Sequence, residues 1–101
     1  MKELIMPERI CKIGQMFQIE LRSMVASTGY MCALVHKPDC ILLDGEATHY
    51  IPGHFPGQPG KMIFTFVCTA ECKERIVFKY VRPWDLDDFA QMVSCPIVCQ
   101  K

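Results

Sequence analysis

Lys61-Met-Ile-Phe-Thr-Phe-Val-Cys-Thr-Ala70 and Arg75-Ile-Val-Phe-Lys-Tyr-Val-Arg82 are two apolar runs joined by the polar tetrapeptide Glu71-Cys72-Lys73-Glu74. Both read as strands. Met62, Phe64 and Phe66 on the first and Ile76, Phe78 and Tyr80 on the second recur at every other position, so each run offers alternating faces. With so short a polar link, the two are expected to pair as an antiparallel hairpin.

Upstream, residues Met16 to Ser23 alternate strictly, with Phe17, Ile19 and Leu21 on one face and Gln18, Glu20 and Arg22 on the other, the pattern of a half-buried strand. Tyr30 to Val35, bounded by Gly29 and Pro38, and Asp39 to Leu43, before Asp44-Gly45, read as further strands closed by turns. From Gly45 to Gly60 the chain turns rich in Gly and Pro, and so long an irregular segment in a small domain is more often functional than idle. Beyond Trp84 the pattern weakens. Asp85 is able to cap a helical turn through Met92, but a loop followed by an edge strand over Ala90 to Val98, interrupted at Pro96, is the preferred reading. In all, roughly six to eight short strands with turns between them predict an antiparallel β-sandwich or barrel. Such a scaffold is rigid and carries its binding residues on loops at its ends.

Composition fits that architecture. The chain has 101 residues, half of them apolar, enough for one domain with one core over residues 1–101. Eleven basic residues balance eleven acidic ones and neither sign forms a long run, which argues against nucleic acid or an anionic membrane as partner. No segment approaches the roughly 18 apolar residues of a membrane helix. The start, Met-Lys-Glu-Leu-Ile-Met-Pro-Glu-Arg, lacks the apolar stretch and small-residue cleavage site of a secretory signal. The chain therefore reads as soluble and cytoplasmic unless a precursor segment directs it elsewhere. Seven cysteines are many, but the number is odd and a domain this size does not require disulfides. In a reducing compartment Cys32 and Cys68, set in apolar strands, are expected to serve as small core residues; the state of Cys40, Cys72, Cys95 and Cys99 is left open.

Three connections stand out. Ala26-Ser27-Thr28-Gly29-Tyr30 is a turn of small residues whose backbone no bulky side chain covers. Gly57-Gln58-Pro59-Gly60, preceded by Phe55, combines glycines that admit another backbone with prolines that limit the entropy lost on docking. Arg82-Pro83-Trp84 ends a strong strand with the single tryptophan, and Trp and Arg are the residue types that most often dominate interface energetics. Taken singly, the first is an ordinary strand connection, the second a surface excursion and the third a core tryptophan of a sandwich.

In register, the three resemble the chagasin-like inhibitors of cysteine proteases. That family is marked by Asn-Pro-Thr-Thr-Gly followed by Tyr or Phe, then Gly-x-Gly-Gly, then Arg-Pro-Trp. Here Ser27-Thr28-Gly29-Tyr30 keeps the end of the first motif, Gly57-Gln58-Pro59-Gly60 keeps two glycines of the second, and Arg82-Pro83-Trp84 is complete. Val25 and Ala26 replace Asn and Pro, and Pro59 replaces a glycine. The resemblance implies an immunoglobulin-like antiparallel β-sandwich with three binding loops at one end. It implies a monomeric, reversible, tight-binding inhibitor of papain-like proteases of the cathepsin L type, with no catalysis and no cofactor of its own. The protease-binding residues it implies are Ser27, Thr28, Gly29, Tyr30, Phe55, Gly57, Gln58, Pro59, Gly60, Arg82, Pro83 and Trp84. The first loop would lie over the catalytic cysteine, the second on the non-primed side and Trp84 on the primed side, with Arg82 anchoring its own loop.

Other readings compete. Cys68-x3-Cys72 and Cys95-x3-Cys99 suggest a zinc module, although pairs spaced by two are the usual arrangement. A cysteine nucleophile paired with His36, His49 or His54 lacks any feature that would activate it. A generic immunoglobulin-like interaction domain has the same outline, and only the register of the three motifs opposes it.

Overall fold

The computed structural model describes residues 2–23, 29–82 and 84–101. Among them nine strands form two sheets and no helix: β1 (Lys2–Ile5), β2 (Arg9–Lys12), β3 (Met16–Arg22), β4 (Met31–His36), β5 (Ile41–Leu43), β6 (His49–Ile51), β7 (Lys61–Cys68), β8 (Cys72–Arg82) and β9 (Asp85–Gln100). One sheet runs β1-β9-β8-β4, with β2 continuing along β9 beside β1; the other centres on β7, with β3 on one side and β5 and β6 on the other. All pairings are antiparallel except those of β1 and β2 with β9. The all-β sandwich that the strand pattern offered as one of two architectures is thus present, in the immunoglobulin-like form that the resemblance implied.

β3 realises its alternation. Phe17, Ile19 and Leu21 are buried while Met16, Gln18, Glu20 and Arg22 are exposed. Their ring and methyl groups meet Phe64 and Phe66 of β7 and Phe78 of β8, with ring centroids 5.5 Å apart for Phe17–Phe66 and 4.8 Å for Phe64–Phe78. Phe66 and Phe78 are fully buried, each stabilising the fold by about 2–3 kcal/mol relative to an exposed ring.

The expected hairpin between β7 and β8 does not form. β7 pairs with β3, β5 and β6, β8 pairs with β4 and β9, and residues 69–71 cross from one sheet to the other. The alternating apolar faces of the two strands look at each other across the core instead of lying side by side.

The C-terminal segment also differs from expectation. It is one 16-residue strand lying between β8 and the β1/β2 pair, not a loop and an edge strand. Pro96, which lacks an N–H, would normally break an interior strand. It is accommodated because β1 pairs up to Ser94 and β2 resumes at Ile97, so Pro96 lies opposite the break around Pro7.

The cysteines depart furthest. Cys40 is bonded to Cys72 and Cys68 to Cys99, with Cα–Cα separations of 6.3 and 5.9 Å. Cys68 is fully buried as expected, but as half of a disulfide. Each bond ties one sheet to the other, and along the chain the two are interlaced. They draw on Cys68, Cys72 and Cys99, three of the four thiolates a zinc module would need. Cys32 remains a free, partly buried thiol packed against the core.

Candidate functional site

Three connections leave the sandwich at the same end, because the registers place their flanking residues together. Arg22 at the end of β3 is opposite Lys61 at the start of β7, Met31 of β4 is opposite Val81, and Arg82 at the end of β8 is opposite Asp85 of β9. The first connection runs over residues 23–30, the second closes at Gly60, and the third spans 82–85.

Hydrogen bonds lock the loop bases to one another. The buried Ser23 N–H donates to the Gly60 carbonyl at 2.8 Å, joining the first loop to the second. The Tyr80 hydroxyl donates to the Arg22 carbonyl at 2.6 Å, crossing from one sheet to the other and so fixing the third loop's strand against the first loop's. A buried phenol needs such an acceptor. Burial, with the neighbouring Cys32 thiol adding to it and Arg22 opposing, pushes the Tyr80 hydroxyl up to about 12, so it is a donor throughout the neutral range.

The first and third loops meet directly. The Arg82 guanidinium lies over the Tyr30 ring at 4.7 Å and beside the Trp84 ring at 5.9 Å, a cationic plane between two π faces. Gly29 has φ +78°, and the position a β-carbon would take there is 3.2 Å from the tip of the Trp84 indole. Only glycine combines that backbone angle with so close an approach. Trp84 nevertheless stays 73% exposed: one edge rests on Gly29, Arg82 lies to one side, and most of the ring faces solvent. The core-tryptophan reading does not hold.

The second loop is closed by its own side chain. Gln58 Oε1 accepts from the backbone N–H groups of His54 and Phe55 at 2.7 and 3.2 Å, and Gln58 N–H donates back to the Phe55 carbonyl at 3.0 Å. This turn presents Phe55, 73% exposed, at its tip. Gly60 is buried at the loop's base, where any β-carbon would collide with the Tyr50 ring and the Ile51 carbonyl. Pro59 stands exposed between Gln58 and Gly60.

Of the twelve residues named from sequence, Gly29, Tyr30, Arg82 and Trp84 form one contact group. Phe55, Gly57, Gln58, Pro59 and Gly60 form a second, tied to the first loop through Ser23. Ser27, Thr28 and Pro83 lie outside the described residues. Sequence reading missed Ser23 and Tyr80, buried residues that hold the loop bases, and the half-exposed Tyr50, whose ring lies against Gly60. The signal for Tyr80 was available: a tyrosine in register with buried phenylalanines must find a partner for its hydroxyl.

The geometry fits docking better than catalysis. Burial pushes the Cys32 thiol up to about 12, with repulsion from Cys95 adding to it, and pushes Cys95 up to about 11 despite Arg9, so neither offers a thiolate nucleophile. His36, His49 and His54 are exposed. Among the described residues no cluster of three or more His, Cys, Asp or Glu side chains is arranged to hold a metal.

A family model described as chagasin family peptidase inhibitor I42 matches residues 11–93. Among solved structures, the chain is similar to the crystal structure of the cysteine protease inhibitor EhICP2 from Entamoeba histolytica, with TM-score 0.74 and 18% identity over 98% of this chain and 95% of that one. It is similar to the solution structure of Amebosin, with TM-score 0.71 and 18% identity over 98% and 97% of the two chains. It is also similar to PbICP-C in its complex with falcipain-2, with TM-score 0.56 and 17% identity over 98% and 99%. At these identities the likeness is one of fold. No curated protein sequence gives a significant match.

Proposed function

Because this chain belongs to the chagasin family of peptidase inhibitors, we propose that it is a reversible, tight-binding inhibitor of papain-like cysteine proteases that fills the active-site cleft with its three clustered loops. The observation that carries this reading is the coupling of Gly29, Tyr30, Arg82 and Trp84, which holds an exposed indole beside the backbone of Gly29. PbICP-C, which shares the fold, was solved in complex with falcipain-2 and supports a papain-like target.

The mechanism is occlusion. The loop ending at Thr28 and Gly29 covers the catalytic cysteine without placing a peptide bond in position for attack, so the chain is held and not cut. Phe55 and residues 57–60 occupy the non-primed side, and Trp84 the primed side. Arg82 stays behind the surface as the brace of Tyr30 and Trp84. The Ser23–Gly60 and Tyr80–Arg22 hydrogen bonds fix the bases of the loops and Gln58 closes the second loop, which reduces the conformational entropy lost on binding.

Titrating papain and a cathepsin L-like protease with the purified protein, while following a fluorogenic peptide, tests this. Stoichiometric inhibition that reverses on dilution, with the chain uncleaved, is the expected outcome. A folded protein that inhibits neither enzyme, or is cleaved as a substrate, would overturn it.

A further inference from the structure

Away from the loops, the opposite pole gathers five of the seven cysteines. Cys68 ends β7, Cys72 begins β8 and Cys99 lies near the end of β9, so the cluster sits about 33 Å from Arg82 along β8. Cys99 has Cys11 opposite it on β2 and Cys72 opposite it on β8. The two disulfides there are not equivalent. Cys68 and Cys99 are 0% and 2% exposed, sealed inside the sandwich. Cys40 and Cys72 are only partly buried and line an open surface groove, flanked by His36, Lys37, Asp39 and Glu74.

We propose that Cys40–Cys72 is a thiol-exchange site that takes a dithiol reductant, while Cys68–Cys99 is a permanent inter-sheet staple. Exchange needs in-line access of a thiolate to one sulfur of the bond, and only the groove offers it. A reductant thiolate attacks the Cys40 sulfur and forms a mixed disulfide. Cys72 leaves as a thiolate and takes up a proton. The reductant's second thiol then displaces Cys40, so two electrons and two protons pass from the dithiol to the protein and the reductant leaves as its own disulfide.

The site is built to survive opening. The Cys40 carbonyl accepts from the Thr69 N–H at 2.9 Å and from the Thr69 hydroxyl at 3.0 Å, and Lys37 Nζ donates to the neighbouring Ile41 carbonyl at 2.6 Å. The two Thr69 bonds keep Cys40 beside the link that leads into β8 after the sulfur bond is cut, and the Lys37 bond holds the turn around Cys40, so reoxidation restores the same pairing. Cys32 and Cys95 do not compete, because burial holds both thiols protonated. The inference goes beyond protease inhibition and does not depend on it.

Stepwise reduction of the oxidised wild-type protein with dithiothreitol, followed by iodoacetamide trapping and peptide mapping, tests it. Labelling of Cys11, Cys32 and Cys95 in unreduced protein supplies the baseline. Cys40 and Cys72 are expected to be alkylated together, at least about tenfold faster than Cys68 and Cys99. The singly reduced species is expected to melt roughly 15 °C or more below the oxidised one and to recover its Cys40–Cys72 bond when the reductant is removed. Alkylation of Cys68 or Cys99 at the rate of Cys40, or a reduced species that reoxidises to a different pairing, overturns it.

Discussion

Replacing Trp84 with alanine separates the interface role of this residue from any role in the fold. The residue is 73% exposed; taking a tryptophan as about 250 Å², about 70 Å² is covered by the fold and about 180 Å² is open. At about 25 cal/mol per Å², the covered part contributes about 1.7 kcal/mol to folding, and the open part has a ceiling of about 4.5 kcal/mol on docking. Part of that ceiling is lost to ordering the ring and desolvating the protease, leaving a cost of about 2 kcal/mol or more, near thirtyfold in the inhibition constant. Two assays suffice: inhibition of papain by the variant, and urea unfolding followed by circular dichroism. The reasoning requires inhibition to weaken by at least about thirtyfold while stability falls by about 1.7 kcal/mol or less. The opposite ratio, a large loss of stability with inhibition unchanged, would refute it, because the indole would then be serving the fold.

Gln58→Ala removes the acceptor that closes the second loop on His54 and Phe55; inhibition is expected to weaken by about tenfold with urea stability unchanged, since the cost is entropy lost on docking. The Cys68→Ala/Cys99→Ala double variant opens a loop with a sequence separation of 31 and should lower unfolding free energy by roughly 3–4 kcal/mol, read from the urea midpoint. Stability should also fall at high pH. Burial raises Cys32 and Cys95 from 9.0 to about 12 and about 11, and Tyr80 from 10.0 to about 12. The unfolded chain therefore loses these protons first, the stabilisation is full below pH 9, and it drains away as pH rises toward 12. A urea midpoint that stays flat from pH 8 to 11.5 would contradict this.

Strand identity was legible wherever one face is wet and the other dry. Phe17, Ile19 and Leu21 announced β3, and the runs around Phe64 and Phe78 announced β7 and β8, because a period of two has one meaning. Strand partnership was not legible. Alternation records that a strand buries one face, and it is the same for two strands side by side and for two facing each other across a core. β1 and β2 escaped notice because their apolar residues, Leu4, Ile5 and Ile10, remain largely exposed. β9 was obscured by Pro96, whose tolerance depends on a break in a neighbour ninety residues earlier in the chain.

By itself the sequence determined an all-β domain, the order of three loop motifs and the residue types they present, since these follow from local periodicity and composition. Tertiary structure alone decided which strands share a sheet, which cysteines bond and how the loops brace one another. Ser23 reaches Gly60, Tyr80 reaches Arg22, Arg82 reaches Tyr30 and Cys68 reaches Cys99 across separations of 31 to 58 residues. Contacts of that range are set by how two sheets stack and twist together, and no local pattern encodes that geometry.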